Sequence, residues 1–175
     1  MADFNNLEEL SSHLMAGASA QKWSRLKIKK RSGVLAPLFS VYSRHSVSIG
    51  DFSDLKLLID WCKLTGNSIL QLLPMNEMGA VNCPYDSVTS FGLESVYISL
   101  GRLLSSQDTA IKFKIDHLRQ IYPAGRAHVN YGIKKEKLFL LWEIYTQRIN
   151  NLPEGFYKFK EDNYYWLDDF ALYKI

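Results

Sequence analysis

Apolar positions along this chain switch between a strand rhythm and a helix rhythm, and the switches outline its first structural unit. Ser32 to Leu38 (SGVLAPL) sets Val34 and Leu35 beside a small residue before Pro37 stops the ladder, which predicts a strand from Gly33 to Ala36. Leu55, Leu58, Ile59 and Cys62 then recur at three and four residues, the spacing of a helix from Ser53 to Leu64. Asp51 is placed to cap its first turn and Gly66 to end it. Ile69, Leu70, Leu72 and Leu73 follow as a near-continuous apolar run that predicts a second strand, Ile69 to Leu73, parallel to the first and buried on both faces. Strand, helix and strand make one right-handed βαβ unit.

The rest of the pattern is mainly helical. Leu7, Leu10 and Leu14 lie on one face of a short helix from Asn6 to Met15, with Asn5 or Asn6 as its cap. Six of the ten residues from Lys22 to Arg31 are Lys or Arg, which reads as a solvated approach to the first strand. Val96 to Leu100 is expected as a short strand or a packed extended segment. Ile111, Ile115 and Leu118 mark a helix within Ser106 to Gln120, and Tyr122-Pro123-Ala124-Gly125 breaks it. From Ile133 to Asn150, Leu138, Leu141, Trp142, Tyr145 and Ile149 form an apolar stripe, so this helix is expected to bury that face and pack outside the strands. From Asp162 onward the chain is aromatic on nearly every side (Tyr164, Tyr165, Trp166, Phe170, Tyr173), and a helix of that kind needs a cover.

Composition narrows the class. With 175 residues, 47% hydrophobic and 13% aromatic, the chain holds enough apolar surface for one packed core. A formal net charge of +3 is too slight for a nucleic-acid binder. Neither Cys62 nor Cys83 forms a CxxC pair, and Cys62 reads as a buried thiol, so a reducing compartment without disulfides is expected. The chain shows no signal-peptide pattern and no run of membrane-spanning length, which makes a cytoplasmic protein the expectation.

Candidate chemistry concentrates after the second strand. Asn76, Glu77, Gly79, Asn82, Pro84 and Asp86 make a polar loop that carries Tyr85 between a proline and a carboxylate. Retaining sugar chemistry needs two carboxyl groups about 5 Å apart. Asp51, Glu77, Asp86 and Glu94 are the loop candidates, but Asp51 serves as a cap and spacing gives Glu94 no partner. There is no GxSxG, no glycine-rich phosphate loop and no His pair at metal spacing; His13, His45, His117 and His128 are scattered.

The order SGVLAPL, SIGDFSDLKLLIDWCKLTG, ILQLLPMNEMG and NCPYDSVTSFGLESVYISL resembles the 4-alpha-glucanotransferases, also called amylomaltases or disproportionating enzymes. HVNYG, GFYKFKEDN and YYWLDDFALYKI resemble later segments of the same family. The resemblance implies an α/β fold, the N-terminal portion of a (β/α)8 barrel left incomplete, with residues 1–31 as a helical and basic lead-in. Residues 32–175 would be the first part of the catalytic barrel, with a helical insertion at about 101–161. It also implies transfer of alpha-1,4-glucan segments to a glucose or glucan acceptor by double displacement, without a cofactor, a metal, nucleic acid or a membrane.

By the same resemblance Tyr85, Cys83, Asn76, Ser40 and Asp86 are substrate-binding residues, with Tyr85 lying along the glucose unit being transferred. Cys83 stands where the family has Ser, Gly79-Ala80-Val81-Asn82 replaces a GYGD-like turn, and Phe91-Gly92-Leu93-Glu94-Ser95 replaces AFAxNP. The family's catalytic carboxylates belong to later strands, and no matching motif occurs before Ile175. The isolated chain is therefore expected to be inactive and to partner with the missing C-terminal part. A non-catalytic remnant or alpha-glucan-binding module is the alternative.

Overall fold

In a computed structural model, residues 6–27 and 29–175 are described. Helix α1 (Leu7–Ala16) begins at Asn6, whose side chain accepts from the amides of Glu8 and Glu9 at 3.0 and 2.9 Å; Asn5 lies outside the described residues. Helix α2 (Ala20–Leu26) follows within the basic stretch, where no apolar period announces it. Neither helix has a buried residue, so the lead-in is peripheral.

Strand β1 (Gly33–Ala36), helix α3 (Phe52–Leu64) and strand β2 (Ile69–Leu72) form the expected unit, with the strands parallel and Gly33 opposite Ile69, Ala36 opposite Leu72. Asp51 caps α3 as predicted, accepting from Ser53 N at 2.7 Å, and Asp54 reaches back to Asp51 N at 3.0 Å, a reciprocal capping box. Both carboxylates are buried and fully engaged: the Ser46 hydroxyl donates to Asp54 at 2.7 Å and the Ser99 hydroxyl to Asp51. Ser99 thereby ties the start of α3 to a segment 48 residues away. Cys62 is buried, as its place on the apolar side of α3 predicts.

The sheet departs from expectation. Along both strands exposed and half-buried residues alternate, and Leu35 and Ile69 face outward on the exposed side. A strand buried on both faces needs a layer on each side, and among the described residues only one face is covered.

The core lies elsewhere. Leu38, Val47, Ile49, Val96, Tyr97 and Leu100 pack with Ile111, Ile115 and Leu118 of α4 (Thr109–Ile121) and with Ile133, Leu140 and Ile144 of α5 (Gly132–Arg148). Val96 to Leu100 is packed but no strand: two 3-10 turns, Ser95–Tyr97 and Leu100–Leu103, flank the extended residues Ile98 and Ser99, and α5 lies against both turns. The face α5 buries is Ile133, Lys137, Leu140 and Ile144; of the predicted stripe Leu141 packs against this core, whereas Leu138 and Ile149 are exposed and Trp142 is 65% exposed. The buried face also holds Lys137, whose ammonium donates to the Val96 carbonyl. Likewise α5 packs on these turns and not outside the strands.

Helices α6 (Glu154–Asp162) and α7 (Tyr164–Tyr173) have no buried residue, so the aromatic tail lacks the cover its composition asks for. It meets the body through Phe91, which stacks on Trp166 with ring centroids 5.5 Å apart and meets Tyr165 edge-on. Among the described residues, no helix is long and apolar enough to cross a membrane.

Candidate functional site

Past β2 the chain doubles back on itself. Glu77 N donates to Gly92 O at 3.0 Å, Val88 N to Glu77 O at 2.9 Å and Glu94 N to Met75 O at 2.9 Å, so the outgoing and returning arms run antiparallel. Asn82 N to Gly79 O (3.1 Å) and Asp86 N to Cys83 O (2.9 Å) close two successive turns at the tip. Beneath the loop sits Glu94, wholly buried and not without a partner as spacing implies. Its carboxylate accepts from Met78 N at 3.0 Å and from Lys134 Nζ of α5 at 2.8 Å. A buried carboxylate met by an ammonium and an amide is stable only with both in place, so Glu94 and Lys134 fix the loop on the helical core.

A cleft of about 470 Å3 opens beside the tip, within the range of roughly 300–1,000 Å3 common to small-molecule sites. Its walls come from two loops, each leaving the C-terminal end of a parallel strand: Ser40, Tyr42 and Ser48 after β1, Asn82 and Pro84 after β2. The break between α4 and α5 supplies a third wall, including Arg126 and His128. Ser48 (φ 68°), Asn82 (φ 52°) and Gly125 (φ 75°), three of the five positive-φ residues among those described, all line it. For Ser48 this conformation costs on the order of 1–2 kcal/mol, which the surrounding packing has to hold in place, whereas asparagine adopts it more readily at position 82.

The predicted site residues divide around this cleft. Ser40 lines it, and Cys83 sits between the two lining residues Asn82 and Pro84; burial first, then Glu94 and Cys83, push the Tyr131 phenol up. Tyr85 follows the lining residue Pro84 but does not itself line the cleft; it is 73% exposed, so it is no core residue. Asp86 points back, its carboxylate 3.0 Å from where a Cβ on Gly79 would stand. Asn76 pairs with Leu93 at the loop's base, away from the cleft lining. Glu77, the other loop carboxylate, is held by Lys174 of the tail. Sequence reasoning missed Tyr42, Arg126 and His128; the helix break at Tyr122 to Gly125 was visible, but nothing local tells that it folds back against the loop after β1. Among the described residues, no group of three His, Cys, Asp or Glu side chains is placed to hold a metal ion.

A family model described as 4-alpha-glucanotransferase matches residues 36–175, four-fifths of the chain and every wall of the cleft. The chain belongs to the 4-alpha-glucanotransferase family. It is 34% identical over 158 residues to the 4-alpha-glucanotransferase of Chlamydia caviae, covering 88% of this chain and 30% of that one. It is 32% identical over 162 residues to that of Chlamydia pneumoniae, covering 89% and 30%. The 4-alpha-glucanotransferase of Clostridium butyricum is 29% identical over 115 residues, covering 65% and 23%. The chain thus spans about 30% of the length of the chlamydial relatives it matches. Within the family match fall α3, β2, the doubled-back loop and α4 to α7, whereas α1, α2 and all of β1 but Ala36 lie before it.

Proposed function

We propose that residues 32–175 form the first part of a (β/α)8 catalytic barrel with a helical insertion at about 101–161. The complete enzyme transfers alpha-1,4-glucan segments to a glucose or glucan acceptor through a covalent glucosyl intermediate. The observation that carries this reading is the position of the cleft. Both parallel strands send the loops from their C-terminal ends into it, and that end of a strand–helix barrel is where substrates bind. A barrel of about 250 residues closes on eight strands; two strands with one face open fit its beginning.

In this reading Tyr85 is the residue that orients the transferred glucose. Its exposed ring, next in the chain to the lining residue Pro84, offers a flat face to a sugar while the hydroxyl stays free to bond. Ser40 and the Cys83 segment bind from the cleft, while Asn76 and Asp86 shape the loop that presents Tyr85. The chain alone lacks the nucleophile and the acid/base, so without a complementing segment it is inactive.

A chimera tests the proposal: residues 1–175 joined to the part of the Chlamydia caviae relative that lies beyond the match. Glucose release from maltotriose is expected from the chimera and not from the chain alone. Tyr85→Ala is expected to lower chimera turnover at least a hundredfold, about 2.7 kcal/mol, with its melting temperature within 2 °C or so. A folded chimera without activity favours the glucan-binding remnant. A Tyr85→Ala chimera that melts several degrees lower, yet keeps its activity per folded molecule, removes Tyr85 from the site.

A further inference from the structure

We infer that Glu94 and Lys134 are positioning residues for the transfer reaction: together they stand in for a neighbouring strand at Met78 and so set where the loop carries Tyr85. Their effect on turnover rests on the alpha-glucan reading above. Met78 pairs with Ser87 across the doubled-back loop, and the hydrogen bonds of that pair lie on either side of it, Val88 N to Glu77 O and Gly79 N to Asp86 O, both 2.9 Å. In such an antiparallel pair the residue between the bonds turns its own N–H and C=O away from its partner. Met78 is 3% exposed, so both groups need a partner inside the protein.

That partner is a pair of side chains. Met78 N donates to Glu94 Oε2 at 3.0 Å, while Lys134 Nζ donates to the Met78 carbonyl at 3.3 Å and to the same Glu94 oxygen at 2.8 Å. Carboxylate and ammonium thus close a ring on both backbone groups of one residue. The other Glu94 oxygen accepts from the Ser95 hydroxyl and from Val96 N at 3.4 Å, so the carboxylate is held at both ends. Tyr131, Lys134 and Lys137 stand at three-residue intervals where α5 begins: Tyr131 lines the cleft, Lys134 holds Met78 and Lys137 holds the Val96 carbonyl. Gly79, the residue after Met78, opens the first of the two turns at the tip, and Tyr85 lies within the second. The start of α5 therefore sets the root of the loop and one wall of the cleft together.

Glu94→Gln/Lys134→Met removes both charges and leaves an acceptor for the Met78 amide, so no buried charge is stranded and the chain is expected to fold. In the 175-residue chain, amide hydrogen exchange followed by NMR is expected to run about tenfold faster at Gly79, Asp86 and Val88 in this variant, with Ile115 and Leu140 at wild-type rates as the measure of folding. Loop rates equal to wild type overturn the inference. If Ile115 also exchanges faster, Glu94→Gln alone, which leaves Lys134 free to reach solvent, is read by the same comparison. In the chimera the double substitution is expected to lower kcat about tenfold with KM within about twofold, since the groups lining the cleft stay in place. Lys134→Arg, which still donates to both partners, is expected to keep kcat within about threefold. In a Tyr85→Ala background the double substitution is expected to cost nothing further, because two changes that act through one side chain do not add. Fully additive losses mean that the pair does not act through Tyr85, and overturn the inference while the glucan reading stands. A chimera inactive in every form removes the glucan reading, and the exchange comparison then decides the grip on Met78 by itself.

Discussion

Gly50 occupies a place where the chain leaves no room for a side chain. A Cβ there would stand 2.0 Å from the carbonyl oxygen of Leu38 and 2.1 Å from that of Val41, both backbone atoms. Gly50→Ala must push apart the turn after β1 and the cap of α3, and a loss of about 3 kcal/mol or more is expected by urea denaturation. A midpoint unchanged from wild type would show that the turn is free to move. The residue scale is also where reading from sequence worked best for local chemistry. Asp51 as a cap and Cys62 as a buried thiol follow from neighbours within one turn. Glu94 and Lys137 did not follow, because Lys134 lies 40 residues from Glu94 and the Val96 carbonyl 41 from Lys137, and no local spacing encodes such a meeting.

Elements were legible as elements, but the faces they bury were not. Every helix with an apolar period is present, and β1 and β2 pair in parallel around α3 as their runs predict. For α5 only part of the predicted stripe turns inward, Leu141 packing against the core while Leu138, Trp142 and Ile149 stay exposed, and the buried face contains a lysine; amphipathicity ranks faces by hydrophobicity and does not anticipate a buried ammonium that finds a carbonyl. That ammonium has a measurable signature. Burial pushes Lys137 down from 10.5 to about 8, against the opposing pull of the Asp51 and Asp54 carboxylates. Between pH 8 and 10.5 the unfolded chain therefore holds a proton that the folded chain has released, and stability attributable to this group rises with pH. Relative to Lys137→Met, wild type is expected to gain roughly 3 kcal/mol across that window. Urea midpoints of the two proteins at pH 7.5 and 10 check it, since the other titrating groups are common to both. A difference that stays flat with pH would mean that Lys137 keeps its ordinary basicity.

At the scale of the whole molecule, apolar surface is left uncovered in several places. Leu35 and Ile69 lie on the open side of the sheet, Trp142 and Phe139 on the outer side of α5, and Tyr164, Tyr165 and Tyr173 on α7. Unpaired strand edges and contiguous apolar patches promote association. The purified chain is therefore expected to elute from size-exclusion chromatography as oligomers or a concentration-dependent average, and a sharp monomer peak at 100 μM would count against this. The cleft was half legible: the loop after β2 was identified from its turn formers, but its far wall comes from the break before α5, brought in by tertiary folding alone. The separation of sheet and core has a further meaning for how the molecule comes apart. The β1–β2 ladder has one bare face and only four residue pairs, whereas α4 and α5 share the buried cluster with the turns at Val96 and Leu100. In deuterated buffer the ladder amides should exchange through local opening, hours before those of Ile115, Leu140 and Ile144. Helices α4 and α5 with the turns at Val96 and Leu100 would then be the slow-exchanging kernel onto which the sheet docks, so that the part carrying the parallel strands is the last to become secure.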